Sequence, residues 1–209
     1  MSFSRYFCRL VLLAAALSAL PFASSAAPNS QDGTSDLLRT LTVPTLPDGL
    51  RDFDFLIGSW KAHLNKRLRP LTGSEEWVEY DGTSATRKIW DDRANTEEFD
   101  VTTTSDRAGD RKHIHGQVLR LYDPDTREWS IYGIDAAKGS LGMPATIGHF
   151  TDGVGRLYDH ELFDGRWILV RYEWTSQPPT KARIVQSFSA DGGKNWEANW
   201  ICDLTRDKP

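Results

Sequence analysis

From Trp60 onward, apolar and polar residues alternate with a period of two, the spacing of strands that turn one face to a core. In WKAHLNKRL, Trp60, Ala62 and Leu64 fall on one face, with Lys61, His63, Asn65 and Arg67 on the other. EEWVEY and TSATRKIW flank Asp81-Gly82, and Asp-Gly favours the positive φ angles of a two-residue turn, so this stretch predicts a hairpin. QVLRLYD, DPDT and REWSIYGID predict another, as do IGHFTDGVGRLYDHEL and FDGRWILVRYEW. The last hairpin is RIVQSFS, ADGGKN and WEANWICDLTR, in which Trp196, Ala198, Trp200, Cys202 and Leu204 share a face opposite Glu197, Asn199 and Asp203. No segment carries a helical period. The pattern predicts an all-β fold, a single antiparallel up-and-down barrel of about 9–10 strands that closes to remove its exposed edges. The eight Trp residues can fill its interior.

The first residues follow a different pattern. Arg5 and Arg9 precede the apolar run LVLLAAALSAL (Leu10 to Leu20), and PFASSAAP supplies small residues at Ser25 and Ala27. Residues 1–27 therefore read as a signal peptide, and the run of 11 is too short for a membrane-spanning helix, which needs about 20 residues. The expected mature chain has no transmembrane segment and is periplasmic or secreted. Residues 28–51, rich in Pro, Ser, Thr and Asp, read as a leader with at most one helical turn around Ser35 to Leu41, and residues 52–209 as the barrel domain. About 180 mature residues suffice for one self-supporting core. Cys8 leaves with the signal, so Cys202 has no intrachain disulfide partner. Removing Arg5 and Arg9 takes the net charge from −4 to −6, which argues against nucleic acid as a partner.

SADGGKNW (Ser189 to Trp196) has the Ser-x-Asp-x-Gly-x-x-Trp order of the Asp-box hairpins in sialidase propellers. A propeller needs at least four blades of roughly 40–50 residues, and this chain holds one copy of the box. The box therefore reads as a turn device: Ser and Asp tie back to turn amides, Gly supplies left-handed angles and Trp plugs the core.

Gly58-Ser59-Trp60 opens the first long strand, and Leu204-Thr205-Arg206 ends the last. With LRLYDPDTREWSIY, FTDGVG, FDGR, VRYEW and FSADGGKNWEANW between them, the stretch Asp52 to Arg206 resembles a bacterial family of calycin-like (lipocalin-like) β-barrel domains of unknown function. The resemblance implies that Trp60 caps one barrel end and that Arg206 packs over its ring, a cation-π contact. It implies a fold and no reaction.

A barrel of this kind usually keeps one end open to a small ligand. Asn95, Glu97 and Glu98 read as a loop at a barrel mouth, where binding residues tend to sit, and Asn95 and Glu98 are taken as ligand contacts. Arg171 and Glu173 share a face of WILVRYEW with Trp167 and Leu169, while Ile168, Val170, Tyr172 and Trp174 share the other. Either face can be the inner one. Arg171 reads as a carboxylate or carbonyl clamp if inward, and as half of an outer-wall ion pair if outward, with Glu173 two residues away beside it or Glu161 facing it across the hairpin. Gln186, Asn199 and His149 are polar groups within apolar strands, suited to orienting a ligand or to satisfying buried backbone.

His113-Ile114-His115 puts two imidazoles on one strand face, a spacing that can hold a divalent metal if His149, His160 or a carboxylate such as Asp159 adds a third ligand. The acid that follows His-x-His in cupins is missing, since Gln117, Leu119 and Arg120 stand there, and Arg111 and Lys112 precede the pair. The pair reads as a solvated basic strand end, with metal binding the weaker alternative. Cys202 lies among apolar neighbours, where a thiol is inert, and no nucleophile elbow or phosphate loop is present. Neither a catalytic residue nor a cofactor is expected. The expected function is binding of a small, hydrophobic or amphipathic molecule in the barrel, with an acid-base isomerase, cyclase or hydrolase using the same cavity as the alternative.

Overall fold

The alternating segments pair almost entirely in chain order. The computed structural model describes residues 47–177 and 179–206. The signal peptide and nearly all of the leader, including Ser35 to Leu41, lie outside the described residues. Eleven strands follow: β1 (Gly58–Arg67), β2 (Trp77–Ile89), β3 (Ala94–Thr102), β4 (His113–Asp123), β5 (Glu128–Asp135), β6 (Ser140–Leu141), β7 (Thr146–Thr151), β8 (Val154–Phe163), β9 (Arg166–Gln177), β10 (Lys181–Ser189) and β11 (Glu197–Thr205). All ladders between them are antiparallel, β1 pairs with β11, and β4 pairs with β5. Ten strands thus close an up-and-down barrel, and the short β6 pairs along β5.

Trp60, Ala62 and Leu64 of β1 point inward, as do Val78 and Tyr80 of β2, Val101 of β3, Leu157 of β8, and Cys202 and Leu204 of β11. On β9 the buried row is Ile168, Val170 and Trp174, with Tyr172 between them, so Trp167, Leu169, Arg171 and Glu173 belong to the outer wall. Glycines help to set this choice on β7 and β8. A Cβ on Gly148 would sit 2.2 Å from Arg156 O, and one on Gly155 would meet the Phe150 ring at 2.5 Å. Both are places where a neighbour comes too close for any side chain.

One end of the barrel is plugged by the segment before β1. Phe53, in front of a 3-10 turn (Asp54–Leu56), is fully buried and meets Trp129, Phe150 and Trp174 edge to face at 4.9–5.5 Å between centroids. The Arg120 guanidinium lies over the Phe53 ring at 5.3 Å and is itself buried, donating to Glu97 and, at 3.0 Å, to Asn95 Oδ1. Ser84 Oγ donates to Glu97 at 2.6 Å. A charge in this place needs such partners, because an isolated one would be lost from water uncompensated. Contacts reach back before Asp52: Gly49 O accepts from Trp129 Nε1 at 3.0 Å, and the Tyr122 hydroxyl accepts from Gly49 N at 2.9 Å.

The outer rim of the same end carries the expected Trp and Arg pair. Arg206 stacks over Trp60 at 4.0 Å and donates to Ile57 O at 2.8 Å, while Trp60 Nε1 donates to Leu56 O at 2.7 Å.

Three local expectations change. Asp81-Gly82 is no turn: β2 runs unbroken through it, and a Cβ on Gly82 would lie 2.0 Å from Asp100 O, so the glycine serves the close approach of β3. The Asp-Gly pairs that do turn are Asp152-Gly153 and Asp164-Gly165, where both residues have positive φ. Asn95, Glu97 and Glu98 form part of β3 and not a mouth loop. Finally, the Asp-box turn forms as expected, with Asp191 accepting from the amides of Lys194 and Asn195 and Ser189 Oγ accepting from Gly193 N. Those bonds, the Asn195 amide foremost, pull the Asp191 carboxyl down to about 2. Its Trp196, however, does not plug the core. It packs on the outer wall over Arg171 at 4.5 Å and beside Tyr158.

The buried ion pair yields a direct expectation. Glu97→Gln leaves Arg120 buried without its counter-charge and is expected to lower stability by about 3–5 kcal/mol, whereas the double change Glu97→Leu with Arg120→Met recovers most of it. Urea unfolding of the three proteins checks this, and an equal loss in the single and double variants would contradict it.

Candidate functional site

Beyond the floor, the inward rows of β8, β9 and β10 turn polar. Asp159 and Glu161 follow Leu157 on the inner face of β8, Tyr172 faces them from β9, and Gln186 of β10 donates to the Tyr172 hydroxyl. Thr146 Oγ1 of β7 donates to Asp159 Oδ2 at 2.6 Å. Glu161 has no side-chain hydrogen bond or ion pair among the described residues. Burial raises both carboxyls above their ordinary range; for Asp159 the Thr146 bond partly offsets it, and for Glu161 the Asp159 charge adds to it. Burial also drives the Tyr172 hydroxyl far up, helped by the charges of Asp159 and Glu161. Across the barrel, Lys66 continues the inward row of β1, and burial lowers its pKa, with Arg111 and Lys138 adding repulsion.

Below this polar group are the floor residues around Phe53 and Trp174. Beside it, Val170 and Ile168, paired with Asp159 and Glu161 in the β8–β9 ladder, form a second cluster with Phe188, Phe163 and Leu71 from the β1–β2 connection. Leu71 is pinned there by its amide, which donates to Glu197 at 2.7 Å, and by its carbonyl, which accepts from Arg166 at 3.3 Å. The connection thus covers the β9 and β10 side of the second end. On the other side, Phe99, Ile114, Val118 and Trp200 face inward yet remain partly accessible, so solvent reaches the lumen beside them. Phe99 and Trp200 meet there at 5.9 Å between ring centroids.

The residues proposed from sequence are dispersed by the fold. Gln186 alone joins the inner layer. Asn95 is consumed by Arg120 in the floor. Glu98 is on the outer wall beside His115. Arg171 and Glu173 pair with each other along β9 at 3.0 Å on the outside, where Glu173 also takes Arg156 of β8 at 2.9 Å, so Arg171 is held in an outer-wall ion pair with Glu173 and the inward clamp is not found. His149 lies on the outward face of β7, its Nδ1 buried without a hydrogen-bond partner among the described residues, and its charge acts on Asp52. Asn199 is buried beside the β10–β11 bulge, outside the inward row, and its Nδ2 likewise lacks a partner. The inner polar layer was missed because DHEL gives Asp159 and Glu161 no mark that distinguishes them from exposed acids.

Cys202 is fully buried and its thiol is pushed strongly up by burial, which leaves no thiolate for chemistry. Two surface grooves, of about 480 and 700 Å³, lie along the outer wall near Thr205. The Arg183 and Asp203 charges in the first are spent on one another. The outer faces of β8 and β9 also leave Leu162 and Trp167 more than half exposed.

No family model matches the chain, and no curated protein does. Solved structures do. An S-type phycobiliprotein lyase, CPES, from Guillardia theta shares 13% identity over 75% of this chain and 91% of its own, with a TM-score of 0.52. Rv2717c from M. tuberculosis shares 12% identity over 78% and 99%, at a TM-score of 0.48, and a de novo designed fluorescence-activating β-barrel shares 10% over 78% and 100%, at 0.39. At these identities the likeness is one of fold, and the lyase match carries it: the chain is a calycin-like β-barrel.

The raised carboxyls have a consequence for stability. Each proton is held more tightly in the folded chain than in the unfolded one, so stability falls as pH rises from the ordinary carboxylate range through the raised one. Glu161→Gln removes that penalty. It is expected to raise the melting temperature by a few degrees at pH 8 and to make little difference near pH 4.5, the ordinary glutamate range, which thermal scans at both pH values will show. A shift of the same size at both would mean that Glu161 is not desolvated.

Proposed function

We propose that this protein binds a small, partly apolar molecule inside the barrel, between the Phe53 floor and the Leu71 cover, and that the molecule presents a cation or hydrogen-bond donors to Asp159 and Glu161. The observation that carries this reading is the inward polar layer itself. A barrel packed only for stability gains nothing from two desolvated carboxyls two residues apart on the inner face of β8, neither held in an ion pair among the described residues, and such groups cluster where a ligand supplies the missing charge or proton. Phe99, Trp200 and Val118 offer the apolar surface beside it, and Tyr172 with Gln186 offers neutral hydrogen bonding.

The pattern of residues 1–27 supports export, which makes the ligand one met in the periplasm or outside the cell, and the bacterial calycin-like family suggested by Gly58-Ser59-Trp60 and Leu204-Thr205-Arg206 fits that setting. The S-type phycobiliprotein lyase named above shares the barrel fold, which agrees with this use of it. Acid-base turnover is favoured by one feature only, the pair of raised carboxyls beside Tyr172. It predicts that the bound molecule leaves altered.

Native mass spectrometry of the protein purified from its own cells tests the proposal. The expected result is one small-molecule adduct per chain, retained at least tenfold less in Glu161→Gln and unchanged in Glu173→Gln on the outer wall. A bare polypeptide mass under conditions that preserve such complexes, or equal loss in both variants, would overturn it.

A further inference from the structure

Three of the five histidines lie on the outer wall of β1 to β4, each against a carboxylate: His63 Nδ1 on Asp81 at 2.8 Å, His113 Nε2 on Asp100 at 2.8 Å, and His115 Nε2 on Glu98 at 3.1 Å. The last two pairs form one cluster. His113 and His115 are two residues apart on β4, so both project to the same side, and their rings are parallel to within 5° at 5.7 Å. Asp100 sits directly across from His115 in the β3–β4 ladder, and its carboxylate meets the His113 ring. One donor atom each from Asp100, His113 and His115 lies within 4.8 Å of the other two.

We infer that Asp100, His113 and His115 form a divalent-metal site for an ion of the zinc type, separate from the lumen. Two imidazoles and a carboxylate are the ligand set of an open three-ligand zinc site, in which a fourth position remains for water. Donors in a tetrahedral zinc shell stand about 3.4 Å apart for bonds of about 2.05 Å. The widest separation here exceeds that by under 1.5 Å, within the reach of side-chain rotation at half-exposed positions. Charge is in balance as well. Two neutral imidazoles with Asp100 and Glu98 present two negative charges to a dication. Glu98 already holds the His115 ring, the carboxylate-imidazole arrangement that orients histidine ligands and raises their basicity. Of the two cations that argued against a metal in the bare sequence, Arg111 and Lys112, the second is drawn aside, since Lys112 Nζ is bound to Asp106 at 2.7 Å.

The third ligand is therefore Asp100, and neither His149, His160 nor Asp159, which lie on β7 and β8. Sequence separation hid it: thirteen residues divide Asp100 from His113, and only the β3–β4 register joins them.

Calorimetric titration of the metal-free protein with zinc chloride tests the inference. One ion per chain is expected, with affinity reduced at least tenfold in His115→Gln and in Asp100→Asn and unchanged in His160→Gln. Zinc K-edge absorption should read two imidazole ligands. Because all three side chains are about half-exposed on the outer wall, circular dichroism of the variants should match the parent, so a loss of binding reports ligation and not unfolding. Absence of binding, or binding that His115→Gln and Asp100→Asn leave intact, would overturn the assignment.

Discussion

The barrel is organised around a buried guanidinium. Arg120 comes from the middle of the sheet, Glu97 and Asn95 from the strand beside it, and Phe53 from a segment outside the barrel altogether, and all four meet at one end of the lumen. Neither ion of the pair can be left without the other, and the Phe53 ring that excludes water from them also closes the floor. The pair therefore gives specificity to the closure more than stability, since well-packed apolar residues could fill the same volume. On the rim, Arg206 over Trp60 repeats the arrangement with solvent on one side.

A floor sealed in this way makes the remaining interior a cup. Its inward rows begin apolar and then mix polar groups at Asp159, Glu161, Tyr172 and Gln186 with the apolar Ile168, Val170 and Phe188 beside them. The Leu71 connection shields one side of this layer, while Phe99 and Trp200 leave the other open to solvent. Desolvation of the carboxyls follows from that placement, and so does the kind of group that would relieve it. The outer wall runs on separate chemistry: Arg171 is shared between Glu173 and the Trp196 ring, and the histidines of β1 to β4 face carboxylates across the strands. Two sites on opposite sides of one sheet are possible because successive residues of a strand point to opposite faces.

Period-two alternation is visible in the sequence alone, and with it the all-β class and the up-and-down order, while the Trp60 and Arg206 closure was implied only by the resemblance that Gly58-Ser59-Trp60 and Leu204-Thr205-Arg206 carry. The Asp-Gly pairs at 152–153 and 164–165 mark their turns correctly, because nothing competes with a type I′ geometry there. At Asp81-Gly82 the same dipeptide is overruled by a long-range contact, the approach of the β3 backbone. Alternation also groups residues by face without saying which face is inner. In WILVRYEW and GRLYDHEL both faces are partly apolar, so Arg171 and Glu173 could be read as inward and Asp159 and Glu161 as ordinary surface acids.

What the sequence by itself determined is which residues travel together: local spacing is set by the pleat, and the pleat needs no partner strand to define it. Only the tertiary structure decided which set turns inward, because that choice depends on contacts made across the barrel, such as Phe150 over Gly155 and Phe53 against Trp174. It also decided which distant side chains become neighbours, as Asp100 does for His113 and His115, since strand register is fixed by packing over the whole closed sheet and not by any one segment of it.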